Sequence, residues 1–85
     1  IGQLTILPVD DETLVRGGTA EMLEDLRHTV VEAGTGFQAL ERLRVREGRV
    51  DLVITDHVMP GMSGSDVIRR VKGTYPLLPV LLSSG

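Results

Sequence analysis

The chain has no cysteine and no tryptophan, Lys72 is its single lysine, and Phe37 and Tyr75 are its only aromatic residues. Without cysteine, disulfides and thiolate metal sites are excluded; the chain suits a reducing compartment, and the cytoplasm is the expected location. Two aromatics cannot build a stacking platform for single-stranded nucleic acid. The formal net charge is −3, and a phosphate-binding face needs a clustered basic surface, so no nucleic-acid partner is expected. Arg42, Arg44, Arg46 and Arg49 form the one dense basic patch, but Glu41 and Glu47 interleave with them, and together they read as a solvated helix face. No apolar run approaches the length of a membrane span, so no membrane contact is expected.

What is present is the balance of a globular domain: 41% hydrophobic and 25% charged residues in 85 positions. That length allows one domain, near the size where a single core is only marginally sufficient. The chain begins at Ile1 with neither an initiator methionine nor a signal-peptide pattern, and is expected to be a piece of something longer.

Four short apolar runs alternate with three amphipathic stretches. Leu4 to Val9 reads as a first strand ending in Asp10-Asp11, with Pro8 weakening its claim to be central because proline gives up a backbone donor. Val15, Thr19, Met22, Leu23 and Leu26 recur at helical spacing from about Glu12 to Leu26, interrupted by Gly17 and Gly18. His28 to Ala33 reads as a second strand. Thr35 and Gln38 have the spacing of a capping box, opening a helix expected to carry Phe37, Leu40 and Leu43 inward and to end near Gly48. Leu52, Val53 and Ile54 form a third strand ending on Asp56, where the chain breaks into a Pro/Gly/Ser loop; Met59 and Met62 are expected to pack that loop on the core. Ser63 to Asp66 looks like another capped start, with Val67, Ile68 and Val71 on the buried face of a helix reaching about Thr74, and Val80 to Ser83 is a fourth strand. The order β-α-β-α-β-α-β predicts a parallel α/β sheet with helices on both faces and right-handed crossovers.

In such sheets ligands collect at the carboxyl ends of the strands. That edge presents Asp10, Asp11, Asp56 and Ser84. Each has an ordinary role available: the acidic pair as a helix cap, Asp56 as a turn acid, Ser83 and Ser84 as strand-end hydroxyls. Their convergence asks for more. Close carboxylates repel one another, and a hard divalent cation relieves the conflict; Mg²⁺ takes oxygen ligands and is typically shared between carboxylates and a phosphate. One aspartate is then free to attack phosphorus as a nucleophile, and Ser84 could donate its hydroxyl to the phosphoryl group.

On these residues the chain resembles the response-regulator receiver domains of two-component signalling. Asp10-Asp11 matches the family's acidic pair, Asp56-His-Val-Met-Pro-Gly-Met-Ser-Gly64 fits its D-x-x-M-P-x-M-x-G, and Ser84, within Pro79 to Gly85, takes the place of its switch threonine or serine. The wording across the chain is most like receivers attached to hybrid sensor kinases. The resemblance implies a flavodoxin-like doubly wound sheet of strand order 2-1-3-4-5. It also implies Asp56 as phosphoacceptor, Mg²⁺ held by Asp10, Asp11, Asp56 and the Val58 backbone carbonyl, and Ser84 as the residue that registers phosphorylation. The implied partner is a histidine kinase or a histidine phosphotransfer protein. Such a module modifies itself and turns over no small-molecule substrate, so it reads as a switch rather than an enzyme.

The family's fifth strand ends in a lysine that pairs with the phosphoryl group, and residues 1–85 stop before it, so they read as a receiver domain incomplete at its C-terminal side. Lys72 reads as a solvated helix residue, not a substitute. Val80 to Leu82 would then be an apolar edge with unpaired backbone groups, which further chain or a second copy is expected to cover, by dimerisation or exchange of elements. Two other functions stay open: a receiver-like docking module that is never phosphorylated, and a Mg²⁺-dependent phosphohydrolase using an aspartyl-phosphate. Against the hydrolase, Asp10-Asp11-Glu12 lacks the D-x-D spacing common to such enzymes.

Overall fold

The structure, a computed structural model, describes residues 2–83. Ser84, with its expected switch role, lies outside the described residues. Seven elements follow in the expected order: β1 (Thr5–Val9), α1 (Thr13–Asp25), β2 (Thr29–Val30), α2 (Gly36–Val45), β3 (Leu52–Asp56), α3 (Gly64–Thr74) and β4 (Val80–Ser83). The strands form one parallel sheet in the order β2-β1-β3-β4. Helix α1 packs on β1 and β2, while α2 and α3 pack on each other and on β1, β3 and β4.

Burial alternates along β3, whereas β1 is buried without a break from Ile6 to Val9, as a strand flanked on both sides is. Leu7, Val9, Val53 and Thr55 are fully buried, and the apolar three of them join Ala39 and Leu43 of α2 and Val67 and Val71 of α3 in one core; Met59 and Met62 close it beneath the β3–α3 loop, as expected. Both expected caps form. Thr35 accepts the Gln38 amide at 3.0 Å, although the Gln38 side chain reaches one residue further back, accepting from the Gly34 amide at 2.8 Å. Ser63 and Asp66 complete a reciprocal capping box. Helix α2 ends at Val45, and in the turn that follows Gly48 has a φ of +74° that suits glycine and a hydrogen that leaves room for the Tyr75 ring.

Pro8 does lie on a central strand, contrary to the doubt it raised. The carbonyls of Ile6 and Pro8 accept the amides of Val31 and Ala33 at 2.9 and 3.0 Å, so the donor that proline lacks is on the side of β2, the sheet's edge. The cost appears there. The expected strand over His28 to Ala33 shrinks to Thr29–Val30 and a single bridge between Val9 and Ala33, with the ladder broken opposite the missing N–H.

Two helical faces differ from expectation. In α1 the buried residues are Ala20 and Leu23, whereas Val15, Met22 and Leu26 are exposed, because the helix covers only β1 and β2 and turns much of its apolar stripe outward. In α2 the inward positions are Gly36, Ala39 and Leu43; Phe37 is 59% exposed, its ring approaching Gly61 in the β3–α3 loop. A Cβ at Gly36 would lie 2.7 Å from the Met62 sulfur and 2.9 Å from Val67, so the two helices meet too closely there for a larger residue to take the inward position. Among the described residues β4 is the other sheet edge, with Leu81 and Leu82 exposed.

Candidate functional site

Register brings the acids together. Val9 is paired with Thr55, so Asp10 and Asp56, the next residue on each strand, emerge side by side, and Ser83 is paired with Asp56 on its other flank. One carboxylate oxygen from each of Asp10, Asp11 and Asp56 lies within 4.8 Å of the others; Asp10 and Asp56 are half-buried and Asp11 is exposed. Asp10 and Asp56 face a cleft of about 620 Å³ that Glu12, Val15, His57, Val58 and Leu82 also line.

The local backbone fixes two of the three carboxylates. Asp10 does not cap α1. Its Oδ1 accepts the Glu12 amide at 2.9 Å, and the helix starts after Glu12 with no side-chain cap. Asp56 Oδ1 accepts the His57 amide at 2.8 Å, and Thr55 Oγ1 donates to the Asp56 carbonyl at 3.1 Å. Behind Asp56 the Gly64 amide donates to the His57 carbonyl at 2.9 Å, and a Cβ on Gly64 would overlap the Asp56 carbonyl oxygen and stand 3.0 Å from His57 Cα. The start of α3 thus lies directly against the backbone that carries Asp56.

The donor set is all oxygen, carries three formal charges, and contains no sulfur or imidazole among the grouped ligands. That chemistry fits a hard divalent cation and disfavours soft metals. The Val58 side chain is exposed in the cleft wall, where its backbone stands two residues beyond Asp56. His57 is exposed and lines the same cleft. Lys72 is distant in the fold, in the last turn of α3; it is exposed, and its Nζ donates to the Leu78 carbonyl at 2.8 Å.

Sequence reasoning missed Glu12, Val15 and Leu82 in the cleft wall, and it missed Arg16, which donates to the Asp10 carbonyl at 2.6 Å. For Arg16 a signal existed: a cation in the first turn of a helix opposes the helix dipole and calls for a partner. The basic patch on α2 behaves as a solvated face. Arg44 pairs with Glu41, whose carboxyl the Arg44 hydrogen bond holds below its ordinary value. No described helix is long and apolar enough to cross a membrane.

A family model described as the response regulator receiver domain matches residues 6–85. The chain is 39% identical over 84 residues to the sensor kinase CckA of Brucella abortus, covering 99% of this chain and 9% of that protein. It is 36% identical over 81 residues to the two-component response regulator ORR3 of Oryza sativa, covering 93% of this chain and 61% of the other. Among solved structures, a response regulator receiver domain protein from Clostridium thermocellum superposes with a TM-score of 0.89 at 30% identity, over 93% of this chain and 63% of that one. The receiver domain of the hybrid histidine kinase CckA gives 0.85 at 35% identity, over 92% and 72%. The match over residues 6–85 and these neighbours, added to three strand-end acids gathered at one edge of a 2-1-3-4 sheet, mean that the chain belongs to the response regulator receiver domain family of two-component signalling.

Proposed function

We propose that the chain is a phosphoacceptor switch in which Asp56 takes a phosphoryl group from a phosphohistidine on a histidine kinase or histidine phosphotransfer protein. The observation that carries this reading is the convergence of Asp10, Asp11 and Asp56, with one oxygen from each inside 4.8 Å, at the carboxyl edge of the sheet. A free carboxylate oxygen of Asp56 forms the new O–P bond while the P–N bond of the donor breaks and the imidazole leaves with its electron pair. The amide of His57 holds the other oxygen, Oδ1, which orients the attacking one.

Asp10, Asp11, Asp56 and the Val58 carbonyl are the residues that would hold Mg²⁺. Bound there, the ion would neutralise charge on the phosphoryl oxygens. Ser84 directly follows Ser83, the partner of Asp56 in register, which supports a hydroxyl reader for the phosphoryl group. The module is read as a switch rather than an enzyme, since its one reaction consumes its own aspartate. The similarity to a sensor kinase and to a hybrid kinase's receiver supports a place within or beside such a kinase, in the cytoplasm.

The test is incubation with a small phosphodonor, such as acetyl phosphate, and Mg²⁺, followed by intact mass, with Asp56→Ala alongside. One acid-stable, base-labile phosphoryl adduct on the wild type alone supports the reading. A folded wild type that gains no adduct refutes it in favour of a docking module, and sustained phosphate release over many turnovers refutes it in favour of a hydrolase.

A further inference from the structure

Arg16 stands in the first turn of α1, where a positive charge opposes the helix dipole, yet its side chain is only 17% exposed. Helical side chains lean toward the N-terminus, and this one folds back far enough for Nη1 to donate to the Asp10 carbonyl at 2.6 Å while Nε donates to Glu32 Oε1 at 3.1 Å. Gly34 leaves room for it, since a Cβ there would stand 3.1 Å from Nη1. Glu32 is itself anchored, its carbonyl accepting from Arg42 Nε at 3.2 Å.

Asp10 is consequently gripped at three points. Its amide donates to the Ala33 carbonyl at 3.1 Å, its carbonyl accepts from Arg16, and its Oδ1 accepts from the Glu12 amide. Of its atoms only Oδ2 has no hydrogen-bond partner among the described residues. Charge alone makes Arg16 a poor neighbour for a cation site, because like charges at short range repel. Glu32 offsets that charge and leaves the geometric effect.

We propose that Arg16 is a positioning residue for the metal-binding acids: through the Asp10 carbonyl it locks the turn carrying Asp10 and Asp11 in the conformation that receives a divalent ion, with Glu32 cancelling its charge. The inference rests on the Mg²⁺ reading of the site. Its two components have opposite signs, which makes it testable. If Arg16 acted through charge, its removal would tighten Mg²⁺ binding; acting through position, its removal weakens it.

The experiment is a Mg²⁺ titration followed by the amide NMR shifts of Asp11 and Glu12, with urea unfolding of the same samples. Arg16→Met, which keeps length and loses both donors, is expected to weaken Mg²⁺ on the order of ten-fold, the size of one lost charge-assisted hydrogen bond. Arg16→Lys recovers part of the loss, because an ammonium lacks the fork that serves both acceptors. Arg16→Lys is also the variant that decides if Arg16→Met does not fold, since charge alone would leave its Mg²⁺ binding unchanged; Glu32→Gln weakens binding several-fold, and Glu41→Gln leaves it unchanged. Unchanged or tighter binding in Arg16→Met overturns the inference. So does an equal loss in Leu43→Val at a matched urea midpoint, which would make the effect one of general stability. A wild type without any saturable Mg²⁺ response removes the metal reading itself, an outcome distinct from a wild type that binds and an Arg16→Met that binds equally well.

Discussion

Gly64 and Gly18 are both helical glycines, and the structure assigns opposite signs to the same substitution at the two positions. Neither has a positive φ, so an alanine is acceptable to the backbone in both, and in open space each replacement would gain up to about 1 kcal/mol of helix propensity. At Gly18 a new Cβ meets nothing within 4 Å. At Gly64 it would overlap the Asp56 carbonyl oxygen, approach Leu82 Cδ1 to 2.7 Å and stand 3.0 Å from His57 Cα. Two of those three neighbours are backbone and cannot rotate away. Forcing an extra carbon into a packed site costs about 1–3 kcal/mol, and the upper half applies where backbone must move, which leaves Gly64→Ala destabilised by roughly 1–2 kcal/mol after its propensity gain. For a domain of this size, 1 kcal/mol moves Tm by about 4–8 °C. Gly64→Ala is therefore expected to melt roughly 4–16 °C below the wild type, and Gly18→Ala a few degrees above it. The strain falls on the Asp56–His57 peptide, so phosphorylation by acetyl phosphate should slow in Gly64→Ala at a temperature where it is still folded, while Gly18→Ala reacts as the wild type does. A Gly64→Ala protein with wild-type Tm and wild-type phosphorylation rate would refute the view that α3 is seated directly on the backbone of Asp56.

Other perturbations separate the core from the surface. Leu43→Ala removes the largest fully buried side chain of α2 and should cost about 2–5 kcal/mol in urea unfolding, a large part of what a domain this small holds; a midpoint within error of the wild type would contradict its central place in the core. Ser63→Ala removes half of the capping box and should cost about 1 kcal/mol. The hydrogen bonds from Ser63, side chain and then backbone, together with the Arg69 guanidinium, hold the Asp66 carboxyl below its ordinary value. Because the folded value is the lower one, this contribution is complete above the unfolded carboxyl's range and is lost as pH falls through the folded value. In an NMR carboxyl titration the Asp66 midpoint should rise in Ser63→Ala, and a midpoint that does not move would exclude the cap as the main cause.

The parts of this fold that local rules govern could be read directly from the residues. Short apolar runs marked the strands, two of them ending on acids, Thr35 and Ser63 marked helix starts that the structure bears out, and strand ends at one edge were enough to group Asp10, Asp11 and Asp56 before any coordinates. What escaped depends on which surface faces which. Val15, Met22 and Leu26 are apolar at helical spacing, yet they point outward because α1 covers two strands only, and spacing along a helix carries no information about the width of what lies beneath it. Phe37 is displaced from the core because Gly36 lets Met62 and Val67 come so close. Pro8 was read for what it lacks, but its effect falls on the neighbouring strand, which ends at Val30 where a ladder bond is missing.

Arg16 is the instructive case, because the same residue is ordinary in sequence and central in space. One arginine in a helix's first turn calls for a partner without naming it, and only the parallel pairing of β1 and β2 brings Glu32 and Gly34 to where its guanidinium can lie. That pairing is nonlocal: sixteen positions separate Arg16 from Glu32. The acids that would hold the ion are carried by strand ends, which alternation makes visible, whereas the group that fixes their turn is recruited across the sheet, which alternation does not. Residues that contact a ligand can thus be legible in a single chain while those that set the contacting geometry stay hidden until the strands are paired. The double requirement on Arg16, near enough to grip the Asp10 carbonyl and neutralised enough not to repel a cation, is met by Glu32, so the two side chains function as one unit and neither should tolerate loss of the other.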